Sequence, residues 1–297
     1  MEFRTETAGN RQETRMNFQL STFNSQLSTL DSQLIRLGCL PYLNVKPLVY
    51  PFEHGGLPEG WDLVYAAPST LAKMLADGRI DAAPVSSFAC LADSRLRIAP
   101  GICISSDGPV KSVLVLSKVE VDSIRSVALD TSSLTGAAML KIVLAESYGL
   151  QPEFVSTNPD VGAMLARHDA ALIIGNPAML HDKAGLHILD LGEEWMKLAG
   201  LPAVFAVWAG PEGSLTPGLV HSLTEAKREG TRRISQIAEE ESRRLGLPFD
   251  VCEDYLANVM RYDLGEREIE SLRIFGRKLR EHGLIEREPE VRLAESA

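Results

Sequence analysis

Ile35-Arg-Leu-Gly-Cys-Leu-Pro-Tyr-Leu-Asn-Val-Lys-Pro-Leu48 decides how the rest of this chain is read. Its first six residues, ending at Leu40, are an apolar run of strand length. A polar amide, Asn44, and a proline, Pro47, follow where such a strand turns into a helix. In open α/β sheets, ligands bind at the carboxyl ends of strands. Asn44 is therefore expected to face a ligand rather than a core.

The same figure recurs outward from this stretch. Asp62–Ala66 reads as a second strand. Pro68-Ser69 opens a helix through Leu71, Met74 and Leu75, with Ser69 as N-cap and Gly78 as the stop. Ile80–Val85 is a third strand, and Ser86-Ser87 begins the next helical turn. This alternation predicts βαβ units and a parallel sheet. Ile98–Ile104 and Val113–Leu116 are further strands, flanking the turn-rich Ser105-Ser-Asp-Gly-Pro109.

A second block then restarts the pattern. Ser126–Leu129 is a strand, Asp130-Thr-Ser-Ser-Leu-Thr-Gly136 a polar turn, and Ala137–Ser147 a helix. Glu153–Val155, Pro159–Ala166 and Ala170–Ile174 read as strand, helix and strand, before Gly175-Asn176-Pro177. Leu201–Ala209 is a buried strand leading back to the first block. Past Pro217 the spacing is helical, over Leu219–Leu223, Ile234–Ala238, Val251–Val259 and Ile269–Leu279. These helices are expected on the outside of the first block.

The expected fold is α/β with two lobes and a cleft between them, a preferred ligand location. Residues 35–112 and 209–286 make lobe I, and 113–208 make lobe II. The chain crosses near Pro109–Ser117 and again near Leu201–Gly210. Residues 1–34 carry an approximate seven-residue repeat from Asn17 and read as a low-complexity, disordered tail. Residues 287–297 read as a frayed C-terminal tail.

Bulk properties exclude several functions. The formal net charge of −10 over 297 residues argues against a nucleic-acid partner. No apolar run is long enough to span a membrane, and the first 34 residues lack the apolar segment of a secretory signal. Cys39, Cys90, Cys103 and Cys252 form no CxxC pair, so buried free thiols in a reducing, cytoplasmic setting are expected. The six histidines show no HxxxH or HExxH spacing, and no GxSxG, Walker or GxGxxG motif follows a strand. Neither a metal nor a cofactor is expected.

Four polar turns fall at expected strand ends: Asn44; Ser86-Ser87; Thr131-Ser132-Ser133 with Thr135; and Gly175-Asn176. Each joins small polar side chains to a helix start, whose free N–H groups favour carboxylates or phosphates. Plain N-capping is the alternative for any one of them. Lys46 and Lys111 are candidate anion partners or surface charges. Asp107 and Asp130 read as turn or cap residues, and Glu193 and Glu194 as a helix start. The site is rich in neutral hydrogen-bonding groups and poor in bases, which suits a binding protein or an enzyme whose substrate is primed to react.

Six motifs in order give the chain a resemblance: Tyr42-Leu-Asn44 with Pro47-Leu48; Ser86-Ser87; Ile104-Ser-Ser-Asp-Gly-Pro109; Ala128-Leu-Asp-Thr-Ser-Ser133; Leu191-Gly-Glu-Glu-Trp195; and Gly200-Leu-Pro-Ala-Val-Phe-Ala-Val-Trp208. From Ile35 to Ile285 the chain resembles the chorismate dehydratases of the futalosine route to menaquinone, the MqnA family. The resemblance implies a type II periplasmic-binding-protein-like fold. It also implies loss of water from chorismate to give 3-[(1-carboxyvinyl)oxy]benzoate, a hydro-lyase reaction. On it, Asn44 and Ser86 are the expected catalytic residues. Tyr42, Ser87, Ser106, Thr131, Ser132, Ser133, Gly175 and Asn176 are the expected substrate-binding residues. A homodimer is the assembly to look for. Two positions depart from the family pattern. Gly175-Asn176 stands where Gly-Asp is common, and Pro41 where a small hydroxyl residue is common. The rival readings are a non-catalytic solute-binding protein for a small carboxylate and the effector domain of a transcription regulator.

Overall fold

The structure, a computed structural model, describes residues 34–295. The expected tail lies outside the described residues, apart from Leu34. The opening stretch forms strand β1 (Ile35–Cys39) and, after a tight turn, helix α1 (Lys46–Pro51), with Pro47 in its first turn, where its missing N–H costs nothing. Strand β2 (Trp61–Tyr65) runs parallel to β1, pairing Ile35 with Trp61 and Cys39 with Tyr65. Helix α2 (Pro68–Ala76) follows. Its N-cap is Ala67 rather than Ser69, because Pro68 takes the first helical position.

Strand β3 (Ala83–Ser86) leads to α3 (Ser87–Ala92) and β4 (Leu96–Ser106). The segment before β3 lies parallel to β1 through a bridge from Leu37 to Ala82. The chain then crosses to the second lobe through β5 (Val113–Ser117), β6 (Ser126–Asp130), α4 (Leu134–Tyr148), β7 (Glu153–Thr157), α5 (Val161–Arg167) and β8 (Ala170–Ile174). Helix α6 (Asn176–Leu180), β9 (His187–Asp190) and α7 (Leu191–Ala199) complete it. The chain returns through β10 (Ala203–Pro211) to α8 (Pro217–Arg232), α9 (Ile234–Leu245) and α10 (Phe249–Asp254). A π-helical turn (Tyr255–Val259), β11 (Met260–Arg261) and α11 (Glu266–Glu281) end the run of elements.

The sheets are mixed, not purely parallel as the alternation suggested. In the second lobe the order is β7-β6-β8-β5-β9, with β5 antiparallel to both neighbours. In the first, β10 lies antiparallel between β3 and β4. Each lobe thus takes its reversed strand from the segment that has just crossed from the other lobe. Pairing of β10 begins at Ala203, so the return crossing is complete well before residue 209.

Helix α4 is buried on nearly every side, from Ala138 through Leu144. A helix that is apolar all round belongs in the interior, and α4 packs against α3 and α11 as well as α7. Helix α11 therefore does not lie on the first lobe alone. Trp195 of α7 stacks edge-on to Phe275 at 5.5 Å, and its indole N–H donates to Ser271 Oγ at 2.9 Å. Glu146 of α4 accepts from His282 at 2.9 Å and pairs with Lys278. The chain after residue 287 is also not frayed, since Ala294 N–H donates to Ile98 O and Ile98 N–H to Arg292 O, both at 2.8 Å. All four cysteines are free and buried. Burial pushes the thiols of Cys39, Cys90 and Cys103 up to about 12.

Candidate functional site

The turns after β1, β3, β6 and β8 converge on one cleft between the lobes. It encloses about 650 Å³ of empty space including its mouth. Tyr42, Asn44 and Ser86 line it from the first lobe, and Ser132, Ser133, Thr135, Gly136 and Gly175 from the second. Leu40, Pro68, Ile104, Ile174 and Phe205 supply apolar walls. Tyr42 is the one ionisable side chain in this lining.

Asn44 follows β1 in a short 3-10 turn (Leu43–Val45) whose flanking apolar residues are buried. Its side-chain oxygen is buried and has no hydrogen-bond partner. A buried acceptor left unpaired costs about 1–3 kcal/mol, and among the residues lining the cleft Asn44 carries such an oxygen. Ser86 caps α3, its Oγ accepting from Ala89 N–H at 3.2 Å. That bond uses a lone pair and leaves the hydroxyl proton to point elsewhere.

Across the cleft, Ser133 stands at the N-cap of α4 without capping it through its side chain. The first N–H groups of this 15-residue helix therefore open onto the cleft. A Cβ at Gly136 would crowd Ser133 Oγ, so any larger residue here displaces that hydroxyl. Thr135 ties the lobes together. Its Oγ1 accepts from Phe88 N–H and donates to Phe205 O, both at 3.1 Å.

Tyr42 reaches over to the second lobe. Its ring lies on Gly175, where φ is +66° and an added Cβ would come within 3.1 Å of the ring. Burial raises the Tyr42 phenol above its ordinary pKa, opposed by a hydrogen bond with Ser132. Beside it, Leu43 N–H donates to Asn176 Oδ1 at 3.2 Å. These contacts join the two lobes beside the cleft.

Four expected binding residues lie off the cleft. Ser87 Oγ donates to Val204 O at 2.7 Å, and Ser106 Oγ to Gly108 O at 2.9 Å, both within buried backbone packing. Thr131 is exposed to solvent. Asn176 serves the mouth contact just described. The charged candidates are also committed elsewhere. Lys46 pairs with Glu53 at 2.8 Å and Glu241 at 3.6 Å, and Lys111 with Asp254 at 2.7 Å. Asp107 pairs with Arg267 at 2.7 Å. Glu194 is buried, not solvated, and accepts from Tyr148 and Lys197 at 2.8 Å each. Sequence reasoning missed Ser112 and Phe205, which line the cleft from the crossing segments. Among the described residues no group of three or more His, Cys, Asp or Glu is arranged to hold a metal ion.

The sequence model of the Menaquinone biosynthesis family matches residues 35–281, which include every element from β1 to α11. The chain belongs to the menaquinone biosynthesis family. A chorismate dehydratase of Thermus thermophilus is 32% identical over 262 residues, covering 82% of this chain and 94% of the relative. A crystal structure of an Archaeoglobus fulgidus protein superposes with a TM-score of 0.69 at 21% identity, covering 84% of this chain and 98% of that one. The periplasmic aliphatic sulphonate binding protein of Escherichia coli superposes with a TM-score of 0.63 at 16% identity, covering 89% and 92%. These likenesses establish the two-lobed periplasmic-binding-protein-like fold for this member of the menaquinone biosynthesis family. Its Asn176 accepts a backbone N–H with its oxygen, a bond that an aspartate at this position would also make.

Proposed function

We propose that this chain removes water from chorismate to give 3-[(1-carboxyvinyl)oxy]benzoate, as a cytoplasmic hydro-lyase. One observation carries the reading. The cleft is almost free of ionisable groups, yet it joins an unpartnered amide oxygen at Asn44 to the open N-terminus of a long helix. Such a site can hold and polarise a dicarboxylate without bringing a strong base to it. The name of the Thermus thermophilus relative agrees.

The chemistry needs little more. The C3 proton of chorismate is vinylogous to the ring carboxylate, so its removal spreads negative charge through C2 and C1 onto that group. The N–H groups at the start of α4 hold this carboxylate and stabilise the charge as it develops. Expulsion of the C4 hydroxyl with its electron pair then makes the ring aromatic. The carboxylate of the enolpyruvyl side chain takes the C3 proton and passes it to the departing hydroxide, completing the water. Asn44 and Ser86 hydrogen-bond the reacting edge and fix its orientation. The neutral Tyr42 phenol closes the mouth and keeps bulk water out.

The decisive experiment incubates purified protein with chorismate and follows the product by mass spectrometry. A product lighter by one water, with the ultraviolet spectrum of a benzoate, is expected. Chorismate that binds but is recovered unchanged overturns the enzyme and leaves a solute-binding protein.

A further inference from the structure

Three successive residues of β10 gather the two helix starts that face the cleft. The register of β10 against β4 shifts between Val204 and Ala206, which leaves Phe205 as one extra residue, a β-bulge. Bulges bend a strand, re-aim its groups and recur beside active sites. Here Val204 O accepts from Ser87 Oγ at 2.7 Å, and Phe205 O accepts from Thr135 Oγ1 at 3.1 Å. Ala206 pairs with Ser86 at the end of β3. Ser86 and Ser87 open α3 in the first lobe, and Thr135 lies in the first turn of α4 in the second.

Thr135 is the joint of this arrangement. It is 4% exposed, and the one proton of its hydroxyl goes to Phe205 O. The same oxygen accepts from Phe88 N–H at 3.1 Å. Phe88 is the second residue of α3, so its N–H has no partner within that helix. The hydroxyl proton is thus spent on the fold rather than on a ligand, and a single side chain links the start of α3, the start of α4 and the bulge.

A rigid substrate makes the spacing matter. The cleft is lined by Ser86 on one side and by Ser133 and the start of α4 on the other. A cyclohexadiene ring held from both sides cannot stretch or fold to make up an error in their separation. We propose that Thr135 is a positioning residue that fixes the separation between Ser86 and the start of α4. This rests on the chorismate reading above for the identity of the ring, but the bonds through Thr135 do not depend on it. A displacement of about 1 Å at a reacting centre can cost on the order of 100-fold in rate.

Two measurements on the full chain test the proposal. The first reads the bond itself, in protein without substrate. Thr135→Val should speed hydrogen exchange at Phe88 N–H by about tenfold or more. Thr224→Val, which removes a hydroxyl bonded to Val220 O within α8, should leave that exchange unchanged. The second is steady-state kinetics with chorismate, well below the melting temperature. Thr135→Val should lower kcat on the order of 10- to 100-fold, with KM changed by no more than about threefold. Thr135→Ser keeps the hydroxyl and should recover most of that loss. Thr135→Ala takes the place of the valine variant if that variant does not fold. Unaltered Phe88 exchange, or wild-type kcat in Thr135→Val, overturns the proposal, and so does an equal loss in Thr135→Ser. Wild-type protein inert toward chorismate overturns the function and with it the rate effect, and Phe88 exchange then still decides whether Thr135 couples the lobes.

Discussion

Asn44 is the residue on which most depends, and its importance lies in what it lacks. A side-chain oxygen that is buried and unpartnered carries a cost of about 1–3 kcal/mol until a hydrogen-bond donor reaches it. Asn44→Ala should lower kcat on the order of 10²–10³-fold with a smaller effect on KM, as for loss of a donor or acceptor used in the transition state. Steady-state kinetics at wild-type turnover would end that role. Asn176 acts differently, by accepting the Leu43 N–H across the mouth. Asn176→Ala should raise KM, while Asn176→Asp, which keeps the acceptor, should restore it. The pH profile follows from the lining. With Tyr42 as its ionisable side chain, and that phenol raised by burial, kcat should be flat from about pH 6 to about pH 9 and fall only beyond the ordinary phenol value. A bell centred near neutrality would mean that a histidine or carboxylate of the protein takes part.

At the scale of elements, α4 joins the core to the chemistry. Its apolar body is clamped between the lobes, so its uncapped start is held still. Gly136→Ala would press a methyl group against Ser133 Oγ. It should raise KM by about tenfold, the worth of one hydrogen bond to a charged group, with the far-ultraviolet circular dichroism unchanged. The residues legible in the sequence were those whose placement is local. Asn44, Ser86 and Ser132 each stand where a strand gives way to a polar turn, so a strand end and its turn residues were enough to find them. Ser87 was misplaced because adjacent residues at a helix start face different ways, and its hydroxyl turns inward to Val204. The antiparallel entry of β10 was hidden because its partners lie about a hundred residues earlier in the chain.

At the scale of the whole molecule, α11 works as a strap. It packs on β10 of the first lobe and on α4 of the second, and Trp195 meets it through Phe275 and Ser271. Phe275→Ala should destabilise the protein by about 3–5 kcal/mol, read by chemical denaturation. The strap also has an acid limit. Burial alone would raise the Glu146 carboxyl, but Lys278 and His282 outweigh it and hold the group below its ordinary value. A carboxylate lowered in this way stabilises the fold above its unfolded pKa and loses that effect as pH falls through the folded one. The melting-temperature gap between wild type and Glu146→Gln should therefore be full at neutral pH and close below about pH 4. A gap that persists in acid would assign it to packing instead.

The buried thiols bear on how motion in this protein can be watched. With all four cysteines enclosed, and three of them held far from thiolate at neutral pH, maleimide reagents meet a nearly silent native background. A cysteine introduced on the outer face of each lobe would take a fluorophore without first stripping the core of sulfur. The distance between two such dyes, followed as chorismate is added, would report the opening and shutting of the mouth in the unaltered scaffold.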